Sequence, residues 1–338
     1  MSRIIFIIGL LILCGPVWAV NDVSKVGTTA GEILSMPASA RGLAMGNAVA
    51  GLVDDGSVFF WNPAMAAGLT QSRISASYLP WLVDTDFQHF AFATPAGAGF
   101  VVGGFIASWS MDDMKVTNEF YQQGTGQYFN ASDLVIALSV ARNLTARFSI
   151  GANLKYIQER IASCTARGVA MDFGTVYRTG VMNDLRIITT LNNYGSQMQM
   201  SGRDLNILHD LDLSILGHND QIPADYSTNE WPLPLNFRFG VATEILKMDG
   251  LRLSAELDAI HPSNNYEALE LGMELALGEM LFLRGGLSSL AQEDTIEGVS
   301  MGAGVQVHTP FGLLQADYGY RDYGDLGYIQ AMTLGVRL

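Results

Sequence analysis

The feature that most constrains this chain is a period-two alternation that runs through its last forty residues. In residues 299–308, Val299, Met301, Ala303, Val305 and Val307 fall on one face, and Ser300, Gly302, Gly304, Gln306 and His308 fall on the other. Leu314, Ala316, Tyr318 and Tyr320 then alternate with Gln315, Asp317 and Gly319, and Met332, Leu334, Val336 and Leu338 alternate with Thr333, Gly335 and Arg337. Successive side chains of a strand point to opposite faces, so each run is a strand with one apolar and one polar face. An exposed apolar strand edge is a hazard in water unless the sheet closes on itself. The pattern therefore predicts a closed barrel.

Earlier in the chain the same reading gives fourteen strands, at about 72–79, 87–94, 99–109, 133–142, 146–159, 168–178, 185–193, 235–246, 251–260, 267–277, 280–289, 299–308, 312–321 and 330–338. Most are as long as a tilted strand needs to be to cross a bilayer, and their number is even. The connections alternate: short turns such as Pro95–Ala98 on one side, longer loops at 110–132, 194–234 and 290–298 on the other. That asymmetry belongs to barrels of the bacterial outer membrane. Aromatic residues near the strand ends suggest interfacial girdles. They are Tyr78, Trp81, Trp109, Tyr156, Tyr266, Tyr318 and Tyr320 outside, and Phe148, Tyr177 and Phe311 inside. A soluble β-sandwich is the competing arrangement.

The first nineteen residues read as a secretory signal. Arg3 precedes an apolar core from Ile4 to Leu13, and Val17 and Ala19 suit a cleavage site after Ala19. No other run approaches the length of a membrane helix, so a membrane protein of this sequence must cross with strands. The net charge of −14 argues against nucleic acid, which demands basic patches. Beyond the signal only Cys164 remains, too few for an internal disulfide or a cysteine metal site.

Residues 20–70 differ from everything after them, being rich in Ala, Gly and Met. Ser39 can cap a short helix, and Asn62-Pro63 can open another with Pro at its first position. Helices this short need something larger to pack on. The segment is expected to be a partly helical hatch inside the lumen of a barrel formed by residues 71–338. The third strand, 99–109, is apolar on both faces, and its inner side would meet that hatch.

The polar faces carry Lys155, Asp172, Arg238, Glu244, Arg252, Glu256, Asp258, Glu270, Glu274, Arg284, Asp317 and Arg337. These read as a hydrated, cross-paired lumen wall in preference to a selective pore. The five histidines lack metal-ligand spacing and no serine sits in a GxSxG elbow, so no catalytic, cofactor or metal residue is assigned. The long loop 194–234 holds Met198, Met200, Asp210, Asp212 and Trp231 as candidate partner-binding residues.

Two motifs carry a resemblance. Residues 36–69 resemble the N-terminal signature of PorV/PorQ outer-membrane proteins through Ala40, Arg41, Ala44, Met45, Gly46, Asp54, Asp55, Trp61, Asn62, Pro63 and Ala64. A second stretch is similar to that family's hairpin through Asp258, His261, Pro262, Asn265, Glu267, Leu271, Gly272 and Glu274, with Asn264 in place of the usual aspartate. The resemblance implies a FadL-like barrel of fourteen strands with an N-terminal hatch in the outer membrane. It further implies a protein that binds exported cargo or secretion partners, as in type IX secretion. The alternative is a FadL-like channel for small hydrophobic molecules, with membrane lipid around it in either case. The Asn-Pro-Ala block is expected to fix the hatch fold.

Overall fold

The computed structural model describes residues 26–210, 221–290, 292 and 295–338, so the signal segment and Asp212 lie outside the described residues. Fourteen antiparallel strands form the wall. They are β1 (Arg73–Trp81), β2 (Thr85–Gly97), β3 (Phe100–Met111), β4 (Ala131–Asn143), β5 (Phe148–Ile161), β6 (Cys164–Arg178) and β7 (Arg186–Gly195) in the first half. The second half comprises β8 (Asn236–Met248), β9 (Leu251–Pro262), β10 (Ala268–Leu277), β11 (Leu281–Leu287), β12 (Val299–Thr309), β13 (Gly312–Asp322) and β14 (Tyr328–Arg337). Each strand pairs with the next, and β14 pairs back onto β1, from Arg73↔Arg337 to Tyr78↔Met332. The barrel is closed, and the β-sandwich is excluded.

The alternation decides which way each side chain points. Phe90, Leu138, Leu154, Phe239, Met273 and Leu334 stand exposed on the outer surface, while their strand neighbours are buried inside. A continuous exposed apolar belt around a closed barrel is the outer face of a membrane protein. The chain is a bacterial outer-membrane barrel whose belt faces lipid. Tyr78, Tyr156, Tyr266 and Tyr318 are exposed near the outer rim, as a girdle requires. Trp81 and Trp109 are not girdle residues: both are half-buried against the apolar core, Trp81 edge-on to Tyr323 and Trp109 donating its indole N–H to Thr85 Oγ1 at 2.9 Å.

Inside the wall lies the hatch, almost wholly buried from residue 31 to 69. It contains a 3₁₀ turn at Glu32–Ser35, helix α1 (Ala40–Ala44), helix α2 (Val58–Trp61) and a 3₁₀ stretch at Pro63–Gly68. The caps are those the sequence implies: Ser39 Oγ accepts from the Gly42 N–H at 3.2 Å and Asn62 Oδ1 from the Ala64 N–H at 3.0 Å. Helices of four and five residues have no stability of their own, so their order comes from the wall.

Inward-facing glycines on the strands let hatch backbone approach the wall. A Cβ at Gly286 would run into the Met45 carbonyl and the Gly46 nitrogen, and one at Gly151 would strike the Pro63–Ala64 peptide. The Asn-Pro-Ala block is seated against β5 and β6 in this way.

Candidate functional site

The lumen wall has two chemistries. On β1–β4 the inward positions are mostly apolar or small: Leu79, Phe87, Ala91, Phe105, Ala107, Val135 and Ala137 are all buried. From β8 to β13 they are charged. Glu274 sits among three guanidinium groups, with Arg284 Nε at 2.7 Å, Arg41 Nε at 3.0 Å and Arg252 Nη1 at 3.4 Å. Arg284 also reaches Asp317 at 2.6 Å, and Arg238 joins Asp258 at 2.5 Å and Glu270 at 2.8 Å. Except for half-buried Arg252 these groups are buried against the hatch, so the wall is cross-paired and more closed to solvent than the hydrated lining expected.

The charged side holds the hatch by directed bonds. Arg41, the hatch's own cation, bridges Glu274 and Asp54 and donates to the Leu52 carbonyl. Arg238 donates to Asn47 O at 2.9 Å, Arg321 to Leu43 O at 3.0 Å, and Glu256 accepts from the Gly51 N–H at 2.7 Å. Removing either partner of such a pair leaves an uncompensated buried charge, which costs ~3–5 kcal/mol. Among the described residues, β2 and β3 make no hydrogen bond to hatch residues 31–69. Contact there is aromatic packing: Phe60 of α2 lies 5.5 Å from His89 and 5.6 Å from Phe105, edge-on to both. Neither ring nitrogen of buried His89 has a hydrogen-bond partner.

Above the hatch, at the outer mouth, is a chamber of about 220 Å³ with Phe60 and Trp61 on its hatch side and a mainly polar wall that includes Lys155, Arg238, Glu270, Asn193 and Asn236. Its shape depends on a bulge where β6 and β7 lose register between Met171 and Phe173. There Asn193 takes a left-handed φ of 65°, and its N–H donates to Asp172 Oδ1 at 2.8 Å. Lys155 Nζ ties both, at 2.7 Å from Asp172 Oδ2 and 2.7 Å from Asn193 Oδ1. Trp61 Nε1, Asn192 Oδ1 and Asn236 Oδ1 remain without partners. The sequence offers no local signal for this chamber, because its asparagines meet only through the closure of the barrel.

The hatch motif residues therefore divide by role. Arg41 and Asp54 belong to the ion-pair network; Met45 and Gly46 abut Gly272 and Gly286; Trp61 floors the chamber; Asn62, Pro63 and Ala64 cap and seat the last turn. Buried Asp55 accepts from the Ser57 N–H and hydroxyl through Oδ1, while its Oδ2 has no partner. Burial raises its pKa above the usual carboxylate range, outweighing the lowering effect of Arg41 and of the Ser57 bonds.

Of the hairpin residues, Asp258 lies in the lumen network and Gly272 under the hatch. His261 and Glu267 form an exposed pair at 3.1 Å, and Pro262 and Asn265 line the chamber rim. In the long loop Met198 is buried in the core, pairing its backbone with Trp231, whose ring is exposed. Met200 packs on the same core, and Asp210 closes the described part of the loop.

No sequence-family profile and no curated protein matches this chain. Solved structures do. The CymD monoaromatic hydrocarbon channel is similar with a TM-score of 0.55 at 11% identity, over 89% of this chain and 96% of that one. The toluene transporter TbuX of Ralstonia pickettii gives 0.56 at 12%, over 89% and 98%. A FadL homologue of Pseudomonas aeruginosa gives 0.51 at 12%, over 88% and 97%. The chain has the FadL-type fold. The first two of these neighbours are named as a channel and a transporter and the third as a FadL homologue; none of those names refers to an enzyme or to secretion. The likeness to PorV/PorQ proteins rests on the two sequence motifs alone.

Proposed function

We propose that this barrel is a channel for small, largely hydrophobic molecules, with the hatch as its gate. The observation that carries the reading is the division of the lumen: the hatch is hydrogen-bonded to most of the wall, including Arg73 of β1 and Asn143 of β4, and is only packed against β2 and β3. A solute can part an aromatic contact far more cheaply than a buried ion-pair network, so the passage runs along β2 and β3. The chamber is the entry. Its 220 Å³ is large enough for one aromatic ring, for which roughly 150 Å³ suffices, and Phe60 and Trp61 give an otherwise polar lining one apolar face. Uncommitted polar atoms on its mainly polar wall suit a solute that carries a hydrogen-bonding group beside an apolar part. The hydrocarbon-channel neighbours support the same reading.

Cargo binding through the outer loops is the other function the sequence suggests, and it draws no support from these neighbours. Both are tested in a host stripped of its own hydrophobe channels. Expression of the protein is expected to raise uptake of radiolabelled toluene. Unchanged uptake, together with capture of exported proteins that depends on residues 194–234, would replace the channel reading with the cargo reading.

A further inference from the structure

In and beside the strands that meet the hatch by packing alone, several buried polar side chains have nothing to bond. His89 is 2% exposed, and both its ring nitrogens lack a hydrogen-bond partner. It lies against Phe60 and Phe105, with ring centroids 5.5 Å from each. The buried hydroxyls of Ser75 and Ser139 are likewise unpartnered, as is the indole N–H of Trp61. On the opposite wall such atoms mostly belong to groups bonded elsewhere: Glu256, Asp258 and Asn153 each have one bonded and one unbonded end. A buried polar group without a bond is unfavourable, and folded proteins keep few of them.

These groups follow one another from the outer mouth inward. Phe60 and Trp61 border the chamber, together with the unpartnered side-chain carbonyls of Asn192 and Asn236, which stand opposite each other on β7 and β8. Phe60 then touches His89, which stands opposite Ser77 and Ala107. At the next inward-facing position of β2, Ala91 stands opposite Ser75. At the one after, Ala93 pairs with Gly103, and Gly103 with Ser139. Each step is about 7 Å along the strand. The succession tracks β2, one of the two strands that line the passage.

We propose that the preferred solute is a phenol, a small aromatic ring bearing one hydroxyl group, and that His89 is the residue that selects it. This assignment rests on the channel reading and names its substrate class. A hydroxyl both donates and accepts. It can accept from the Trp61 N–H, donate to the Asn192 or Asn236 carbonyl, and do either at an uncharged imidazole or a serine hydroxyl. A hydrocarbon satisfies none of these groups. A carboxylate only accepts, and it would pass between Phe60 and Phe105 with its charge stripped of water. The cations of the chamber wall give it no relief, because Lys155 is paired with Asp172, and Arg238 with Asp258 and Glu270.

The test uses three radiolabelled solutes built on one ring: toluene, p-cresol and p-toluate. Initial uptake is measured in the stripped host, above the rate of cells lacking the protein, and heat-modified gel mobility confirms a folded barrel. The unaltered protein is expected to take up p-cresol about fivefold faster than toluene, the factor that one neutral hydrogen bond supplies, and to exclude p-toluate. His89→Leu removes both nitrogens and is expected to bring the p-cresol to toluene ratio down to one. His89→Gln keeps a donor and an acceptor and is expected to retain the preference. Trp61→Phe keeps a ring, loses the N–H, and should lower the same ratio. A merely structural His89 would change both rates together and leave their ratio alone. Toluene or p-toluate taken up as fast as p-cresol by the unaltered protein, or a preference that survives His89→Leu, overturns the phenol assignment while the channel reading stands. No uptake of any of the three overturns both.

Discussion

Strands β8–β13 and strands β2–β3 enclose the same hatch with different chemistry. The first group meets it with Arg238, Glu256, Glu274 and Arg321, each bonded to a hatch backbone or side-chain group. The second meets it with Phe87, Ala91, Phe105 and Ala107, whose contacts have no direction. Ion pairs buried against the hatch fix position, because breaking one exposes a lone charge to a low dielectric. Packed rings tolerate sliding. A hatch held this way is anchored on one side and yields on the other, which is the arrangement a gate needs.

The largest effect that can test the contrast is Glu274→Ala. It leaves Arg41, Arg252 and Arg284 facing each other and is expected to destabilise the barrel by ~3–5 kcal/mol, read as a lower urea midpoint and a protease-sensitive hatch. A neutral outcome would remove the anchor from the account. Next comes Gly286→Ala, whose methyl meets the Met45–Gly46 backbone; overpacking of this kind costs ~1–3 kcal/mol and should register in the same unfolding assay.

Phe105→Leu acts on the yielding side. It is expected to cost less than about 1.5 kcal/mol, since it roughly keeps hydrophobic volume, and to speed toluene uptake. A stability loss as large as that of Glu274→Ala, with uptake unaltered, would erase the distinction between the halves.

The smallest effect is that of Asp55. Its folded-state pKa is raised by burial, so its stabilising contribution is present below the unfolded value of ~3.9 and is lost as pH rises through the folded value. Asp55→Asn keeps an acceptor for Ser57 and should flatten that part of the stability–pH curve. A curve of unchanged slope would show that the carboxyl remains charged throughout.

The barrel was legible in the sequence because a membrane wall imposes alternation at every strand. Each of the fourteen expected strands overlaps an observed one, including the two-faced apolar run that became β3. The capped turns at Ser39 and Asn62 were legible for the same local reason. The short outer hairpin that pairs Asn206–His209 with Ile222–Asp225 was not, since nothing periodic marks so brief a strand. The charged residues were visible, but their burial was not: the hatch that buries them comes from a stretch 200 residues away from Glu274. Phe60, His89 and Phe105 form one cluster only after α2, β2 and β3 are assembled. Trp81 and Trp109 misled, because a residue at a strand end can turn inward as readily as outward.

Cysteine accessibility compares the two sides most directly. With Cys164 replaced by Ser, single cysteines are placed at Ala107 on β3 and Ala242 on β8, both inward-facing and buried. Each is exposed to a small aromatic maleimide in native membranes, with and without toluene. The account predicts that Cys at 107 reacts faster and is shielded by toluene, while Cys at 242 is slow and indifferent to it. Equal reaction and equal shielding at the two positions would contradict a hatch that gives way on one side only.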